Sequence, residues 1–191
     1  MVKTQEYTSQ FLKASYLPQK DAQKLMSKYG YSYDPKLSRM DTKVFISPDG
    51  KPLIAHRGSK RITDWMDDAL LGVGLGKYTH RYKNAQRITK RAEEKYNNNA
   101  DSIGHSYGGW LSEKSGNKGD IITYNKAVGC GDIGQHNKSN QIDYRTQGDL
   151  VSMLVPKQTG GTLTTIKNVH LFPNALNAHN TENLNEYLGY N

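Results

Sequence analysis

The stretch Gly104-His105-Ser106-Tyr107-Gly108-Gly109 carries the residues best suited to covalent chemistry. It fits G-x-S-x-G, and it lies between a short strand expected around Ile103 and a helix expected over 107–114. A serine at a sharp strand-to-helix turn has its hydroxyl pushed into the open. Glycines on either side let backbone cross backbone where a Cβ would clash. The helix start adds N–H groups with no partner inside the helix, and the positive end of its dipole, both suited to an oxyanion. The chemistry implied is acyl transfer through a serine nucleophile, with Ser106 in that role.

Such a serine needs a base and a group to orient the base, and in an elbow of this type they follow in the order Ser, Asp or Glu, His. Downstream acids are Glu113, Asp120, Asp132, Asp143, Asp149, Glu182 and Glu186. Asp149 stands out because Gly148-Asp149 leads into the apolar run 150–155, an element boundary where a loop carboxylate can be half buried. Of the downstream histidines, His136 precedes Asp149 and breaks the order. His170 ends an expected strand between Val169 and Leu171, whereas His179 lies in a polar loop just ahead of a C-terminal helix. That context favours His179 as the base, with His170 as the alternative.

The elements that must position these residues can be read from periodicity. Residues 1–40 read as helical, with helices over 5–16 and 19–29 separated by Pro18. Strands over 42–46 and 51–56 flank Ser47-Pro48-Asp49-Gly50, a turn tetrad that predicts a hairpin. Ile62, Trp65, Met66, Ala69 and Leu70 form one stripe of an amphipathic helix over 62–71, ended by Gly72, Gly74 and Gly76. A second helix is expected over 82–96, with Ala85, Ile88, Ala92 and Tyr96 inward. Strands follow over 120–124, 150–155 and 163–169, and a terminal helix over 181–188 after Asn180. Strands alternating with helices around one sheet make the expected fold class α/β.

The 191 residues suffice for one domain with a buried core, and 35% hydrophobic content without long charged or Gly/Ser blocks reads as globular rather than disordered. The lone Cys130 excludes an internal disulfide and a Cys-cluster zinc site. No run approaches the roughly 18 apolar residues of a membrane span, and Met1 to Glu6 lacks the apolar stretch of a signal peptide. The expectation is a cytoplasmic protein. With 26 Lys and Arg against 18 Asp and Glu, the net charge of +8 favours anionic partners. The cations are dispersed and form no nucleic-acid motif, so nucleic acid is not expected as a partner; the favoured reading is a solvated basic surface, with peripheral contact with an anionic membrane as the alternative.

Residues 55–68, Ala-His-Arg-Gly-Ser-Lys-Arg-Ile-Thr-Asp-Trp-Met-Asp-Asp, resemble a segment of the fungal-type class three lipases. In that family an apolar strand ends in Arg-Gly-Ser/Thr and a Trp-x-x-Asp helix follows. The run 104–109 is similar to the family's G-H-S-L-G-G elbow, and Gly148-Asp149-Leu150-Val151-Ser152 to its Asp-x-Val-Pro element. Together the motifs span about residues 44–187. The resemblance implies an α/β-hydrolase, with residues 1–191 as one domain built on a central mixed sheet. It implies Ser106, Asp149 and His179 as the triad, and Ser59 with the N–H of Tyr107 as the oxyanion hole. The 62–71 helix, with Ile62, Trp65, Met66 and Leu70, corresponds to a lid. The implied activity is hydrolysis of lipid carboxylic esters, of triacylglycerol or phospholipid type, with no metal or organic cofactor.

The departures are Tyr107 for the usual Leu, Trp110 where small residues are usual, and Ser152 for Pro. The short chain, rich in Lys, Asn and Tyr, and the run 143–152 also resemble reduced lipase-like proteins of large DNA viruses, which would make the protein a virion component. The alternative to an enzyme is a catalytically silent hydrolase fold used as a structural or binding protein.

Overall fold

The computed structural model describes residues 7–59, 79–128, 132, 138–149, 162–166, 179 and 184. Two helices come first, α1 (Thr8–Tyr16) and α2 (Gln19–Ser27). Pro18, with no amide proton to donate, separates them in extended conformation. The stretch expected to be helical through residue 40 also supplies a strand, β1 (Ser32–Tyr33), at the sheet edge. Two residues are too few to register as a period. The hairpin forms as expected from β2 (Thr42–Ile46) and β3 (Pro52–His56), with Val44 opposite Ile54. Ser47 Oγ accepts the Lys51 N–H at 2.9 Å, and Gly50 takes φ +82°, so the turn is closed by the residues that announced it.

Beyond β3 the sheet becomes parallel. β4 (Asp101–His105), β5 (Ile121–Tyr124), β6 (Gln141–Thr146) and β7 (Thr162–Ile166) follow side by side in chain order. Seven described strands in one mixed sheet with helices on its faces make this an α/β fold. Right-handed crossovers between parallel strands in sequential order put the connecting helices, α3 (His80–Tyr96) and α4 (Tyr107–Lys114), on one face. The packing agrees. Leu53, Ala55, Ile103 and Ile122 meet Phe11 and Leu12 of α1 and Met26 of α2. The alternate residues Val44 and Ile54 meet Ile88 and Ala92 of α3. Strands covered on both sides are buried at every position, as in β2, β3, β4 and β5.

The clearest departures from expectation lie in α3 and in the sheet beyond β5. α3 starts at His80 rather than 82 because Thr79 caps it, its Oγ1 accepting the Tyr82 N–H at 3.2 Å. β6 was not anticipated: Asp143 and Arg145 break its apolar pattern. β7 begins at Thr162, one residue before the expected strand, whose end over 167–169 lies outside the described residues. The strand expected over 150–155, the helix over 62–71 and the terminal helix over 181–188, apart from buried Leu184, lie outside the described residues.

Asp143 is tolerated because of a charged network on the α4 face. Buried Lys126, just past β5, pairs with Glu113 and, at 3.1 Å, with Asp143. Gln141 Nε2 donates to Glu113 at 3.0 Å and to Asp143 at 2.8 Å. Lys114 joins Glu113 to Asp132 at 2.8 and 3.0 Å. Burial alone would raise the Glu113 pKa, but Lys126, Lys114 and Gln141 outweigh it and hold the group at about 2. Lys126→Ala removes the cation shared by two buried carboxylates and should cost about 3–5 kcal/mol in urea unfolding at pH 7. Because the Glu113 pKa is depressed in the fold, its contribution is complete above its ordinary 4.5 and fades as pH falls toward 2. The gap between parent and variant should therefore narrow on acidification.

Candidate active site

A single residue, Ser106, separates β4 from α4, and it adopts φ +57°, ψ −127°. For a residue with a side chain this backbone costs of order 1–3 kcal/mol and persists only where its surroundings impose it. Here they do. Ser106 N–H donates to Tyr124 O of β5 at 3.0 Å, while Ser106 O accepts from Gly109 N at 2.9 Å and Ala127 N at 3.1 Å. A Cβ on Gly104 would overlap the Gly108 carbonyl, and one on Gly108 would overlap the His56 carbonyl. Glycine at both positions lets the first turn of α4 lie directly on the ends of β3 and β4.

The Arg57-Gly58-Ser59 loop leaves the end of β3 against this turn. A Cβ on Gly58 would sit 3.0 Å from Ser106 Cβ, so the loop and the elbow are in contact. Three bonds hold the loop. Arg57 N–H donates to Asp41 O at 2.9 Å, Gly58 N–H donates to Tyr16 Oη at 3.1 Å, and Arg57 O accepts from Arg81 Nη2. Arg81 is anchored in turn on the Asp41 carboxylate at 2.9 Å and lies 4.9 Å over the Tyr107 ring. Ser59 follows, half-buried. Tyr107 stacks on Trp110 with centroids 5.6 Å apart, and Trp110 Nε1 donates to Asp132 at 2.6 Å. The two unusual aromatic residues of the elbow thus stabilise each other.

The third component comes from the end of β6. Gly148 turns the chain at φ +84°, and Asp149 follows, 0% exposed, its N–H donating to Thr146 O at 3.2 Å. His179, 3% exposed, donates from Nδ1 to Asp149 Oδ1 at 2.8 Å. The backbone of His179 is helical, where a polar loop was expected. Its carbonyl accepts from His105 Nε2 at 2.8 Å, and the two imidazoles lie 4.7 Å apart. The structure therefore brings Asp149 and His179 together beside the residue that precedes Ser106. Glu113, Asp132 and Asp143 are committed to the Lys126 and Lys114 network on the other face.

The family model for the Tle-like phospholipase domain matches residues 9–183. The chain belongs to this phospholipase-like family. No curated protein matches it. As a Tle-like phospholipase domain the chain falls among lipid-hydrolysing proteins, and the matched span includes every residue of the site from Tyr16 to His179. Among its described residues no helix is long and apolar enough to cross a membrane, and no group of His, Cys, Asp and Glu is arranged to hold a metal ion.

In this Tle-like domain the candidates Ile62, Trp65, Met66 and Leu70, and the alternative base His170, lie outside the described residues. Tyr16, Asp41, Arg81 and His105 escaped the sequence reading although all four hold the site. His105 stands within the motif, at a position the pattern leaves open. Tyr16 has no local signal at all, since its partner is 89 residues away. The strain at Ser106 predicts that Ser106→Gly, which relaxes φ +57°, raises stability by about 1 kcal/mol, while Ser106→Ala does not. Paired urea titrations of the two variants measure it.

Proposed function

We propose that the chain hydrolyses carboxylic esters of phospholipids or related lipids through an acyl-enzyme on Ser106. The observation that carries this reading is the buried Asp149–His179 pair, 2.8 Å long, held against the residue beside a strained serine. In this scheme the Ser106 hydroxyl attacks the ester carbonyl while His179 Nε2 takes its proton. Asp149 orients the ring through Nδ1 and stabilises the imidazolium. The N–H of Tyr107, in the first turn of α4, and the hydroxyl and N–H of Ser59 receive the oxyanion. The tetrahedral intermediate collapses as His179 returns the proton to the departing alcohol. Water, deprotonated by the same ring, then releases the fatty acid and restores Ser106. The likeness to class three lipases supports these roles, with 62–71 as the lid and 1–191 as one hydrolase domain.

Contact with an anionic bilayer fits the same reading. A groove between the loop before β2 and α3 is lined by Lys36, Arg39, Arg87 and Arg91 and by no carboxylate. Met40, 75% exposed, follows Arg39 and immediately precedes Asp41, which holds the Arg57 loop. Arg39 and the exposed thioether border the end of the sheet that carries Ser106, and the groove continues from there along α3 to Arg87 and Arg91, a cationic strip suited to lipid phosphates.

A fluorescent fluorophosphonate should label the parent protein and not Ser106→Ala, and His179→Ala should lower soluble-ester turnover by several orders of magnitude in protein still folded by circular dichroism. Labelling of Ser106→Ala at full rate would overturn the assignment, and an unlabelled parent would favour the silent fold. For the bilayer contact, Arg87→Gln/Arg91→Gln should weaken binding to phosphatidylglycerol vesicles by about fivefold per charge and leave soluble-ester hydrolysis unchanged. Undiminished vesicle binding would remove the groove from the account.

A further inference from the structure

Two side chains outside the proposed chemistry connect all three loops of the site. Tyr16 Oη lies 3.1 Å from Gly58 N and 2.7 Å from His105 Nδ1, and His105 Nε2 lies 2.8 Å from His179 O. The direction of every proton in this chain follows from the partners. The Gly58 amide can only donate, so Tyr16 Oη accepts from it. The His179 carbonyl can only accept, so His105 Nε2 carries a hydrogen. A neutral imidazole has one N–H, which leaves Nδ1 bare to accept from the Tyr16 hydroxyl. Both groups hold the forms this requires. Burial, reinforced by neighbouring His179, pushes the His105 pKa down to about 3, so the ring is neutral at any working pH. Burial raises Tyr16 to about 12 against the opposing pull of the Gly58 amide, Arg57 and Arg81, so its hydroxyl keeps its proton.

Resting on the assignment of Ser106, His179 and Ser59 above, we infer that Tyr16 and His105 are positioning residues. They set the register of the oxyanion loop and of the base-bearing segment against the elbow. Gly58 immediately precedes Ser59, His105 immediately precedes Ser106, and His179 carries the base, so one hydrogen-bonded chain fixes the neighbour or the backbone of each reacting group. The anchors are rigid. The His105 ring stacks on Tyr124 at 5.5 Å, and Tyr124 Oη is bonded to Thr146 Oγ1 at 2.7 Å. The end of α1 is fixed because Lys43 Nζ, 2% exposed, donates to Ser15 O at 2.6 Å. Although 37% of the Tyr16 surface is exposed, its hydroxyl is the inner end of the side chain. The pair touches no reacting atom. It acts through geometry, where a displacement of an ångström can cost on the order of a hundredfold in rate.

Tyr16→Phe removes only the hydroxyl. His105→Gln keeps a donor at the Nε2 position for His179 O and loses the acceptor for Tyr16. On a soluble p-nitrophenyl ester, each should lower kcat about tenfold with KM within about twofold, at full folded fraction by circular dichroism. The double variant should be no worse than the worse single, because both cut the same chain. Gly58 amide exchange should accelerate about tenfold in Tyr16→Phe. Parent-like kcat and unchanged Gly58 exchange in Tyr16→Phe would overturn the inference, as would strictly additive losses in the double variant. Failure of the serine assignment shows separately, as a parent not labelled by fluorophosphonate, and Gly58 exchange still reads the chain in that case.

Discussion

The organisation of this molecule depends on one close approach of backbone to backbone, the first turn of α4 lying on the ends of β3 and β4. At Gly104 and Gly108 a single methyl group would meet a carbonyl oxygen. The approach leaves one residue to turn the chain from strand to helix, and that residue is forced to φ +57°. The strain at Ser106 is held by bonds from β5 and from Ala127, so the conformation belongs to the assembled sheet and not to the local sequence.

The site lies where the carboxyl ends of parallel strands converge, and its parts come from three of them. β3 supplies the Arg57-Gly58-Ser59 loop, β4 the elbow and β6 the turn to Asp149. Each arrives by an independent connection, so their mutual placement has to be made by side chains. Arg81 and Asp41 brace the first from the α3 face, and Tyr16 and His105 brace it from the α1 face while reaching on to His179.

The two faces solve the same problem in different electrostatic terms. On the α4 face charges neutralise charges: Lys126 sits among Glu113, Asp143 and Gln141, an arrangement that is costly to disrupt because each ion is buried. On the α1 face every member of the chain from Gly58 to His179 is neutral, which lowers the desolvation cost and places no additional ion beside the Asp149–His179 pair. The separation keeps the downstream carboxylates Glu113, Asp132 and Asp143 away from His179.

Local chemistry was legible in the chain wherever a short run of residues dictates its own conformation. The Ser47 to Gly50 turn, the break at Pro18 and the glycines around Ser106 each encode a backbone path within four to six residues, and the structure follows them. The α/β class followed from the alternation of periods. What the sequence could not reveal are relations with no period and no fixed separation. β6 was hidden because its buried Asp143 is neutralised by Lys126, a partner 17 residues earlier. The seating of His179 against the elbow, and the chain of Tyr16, His105 and Gly58, depend on contacts over 42 to 89 residues that exist only once the sheet has brought the strand ends together. The sequence by itself determined which residues could serve the proposed serine chemistry and in what order they stand. Tertiary structure alone decided which of them meet, because hydrogen-bond geometry at 2.7–3.1 Å is set by the packing of distant elements and leaves no mark on the spacing along the chain.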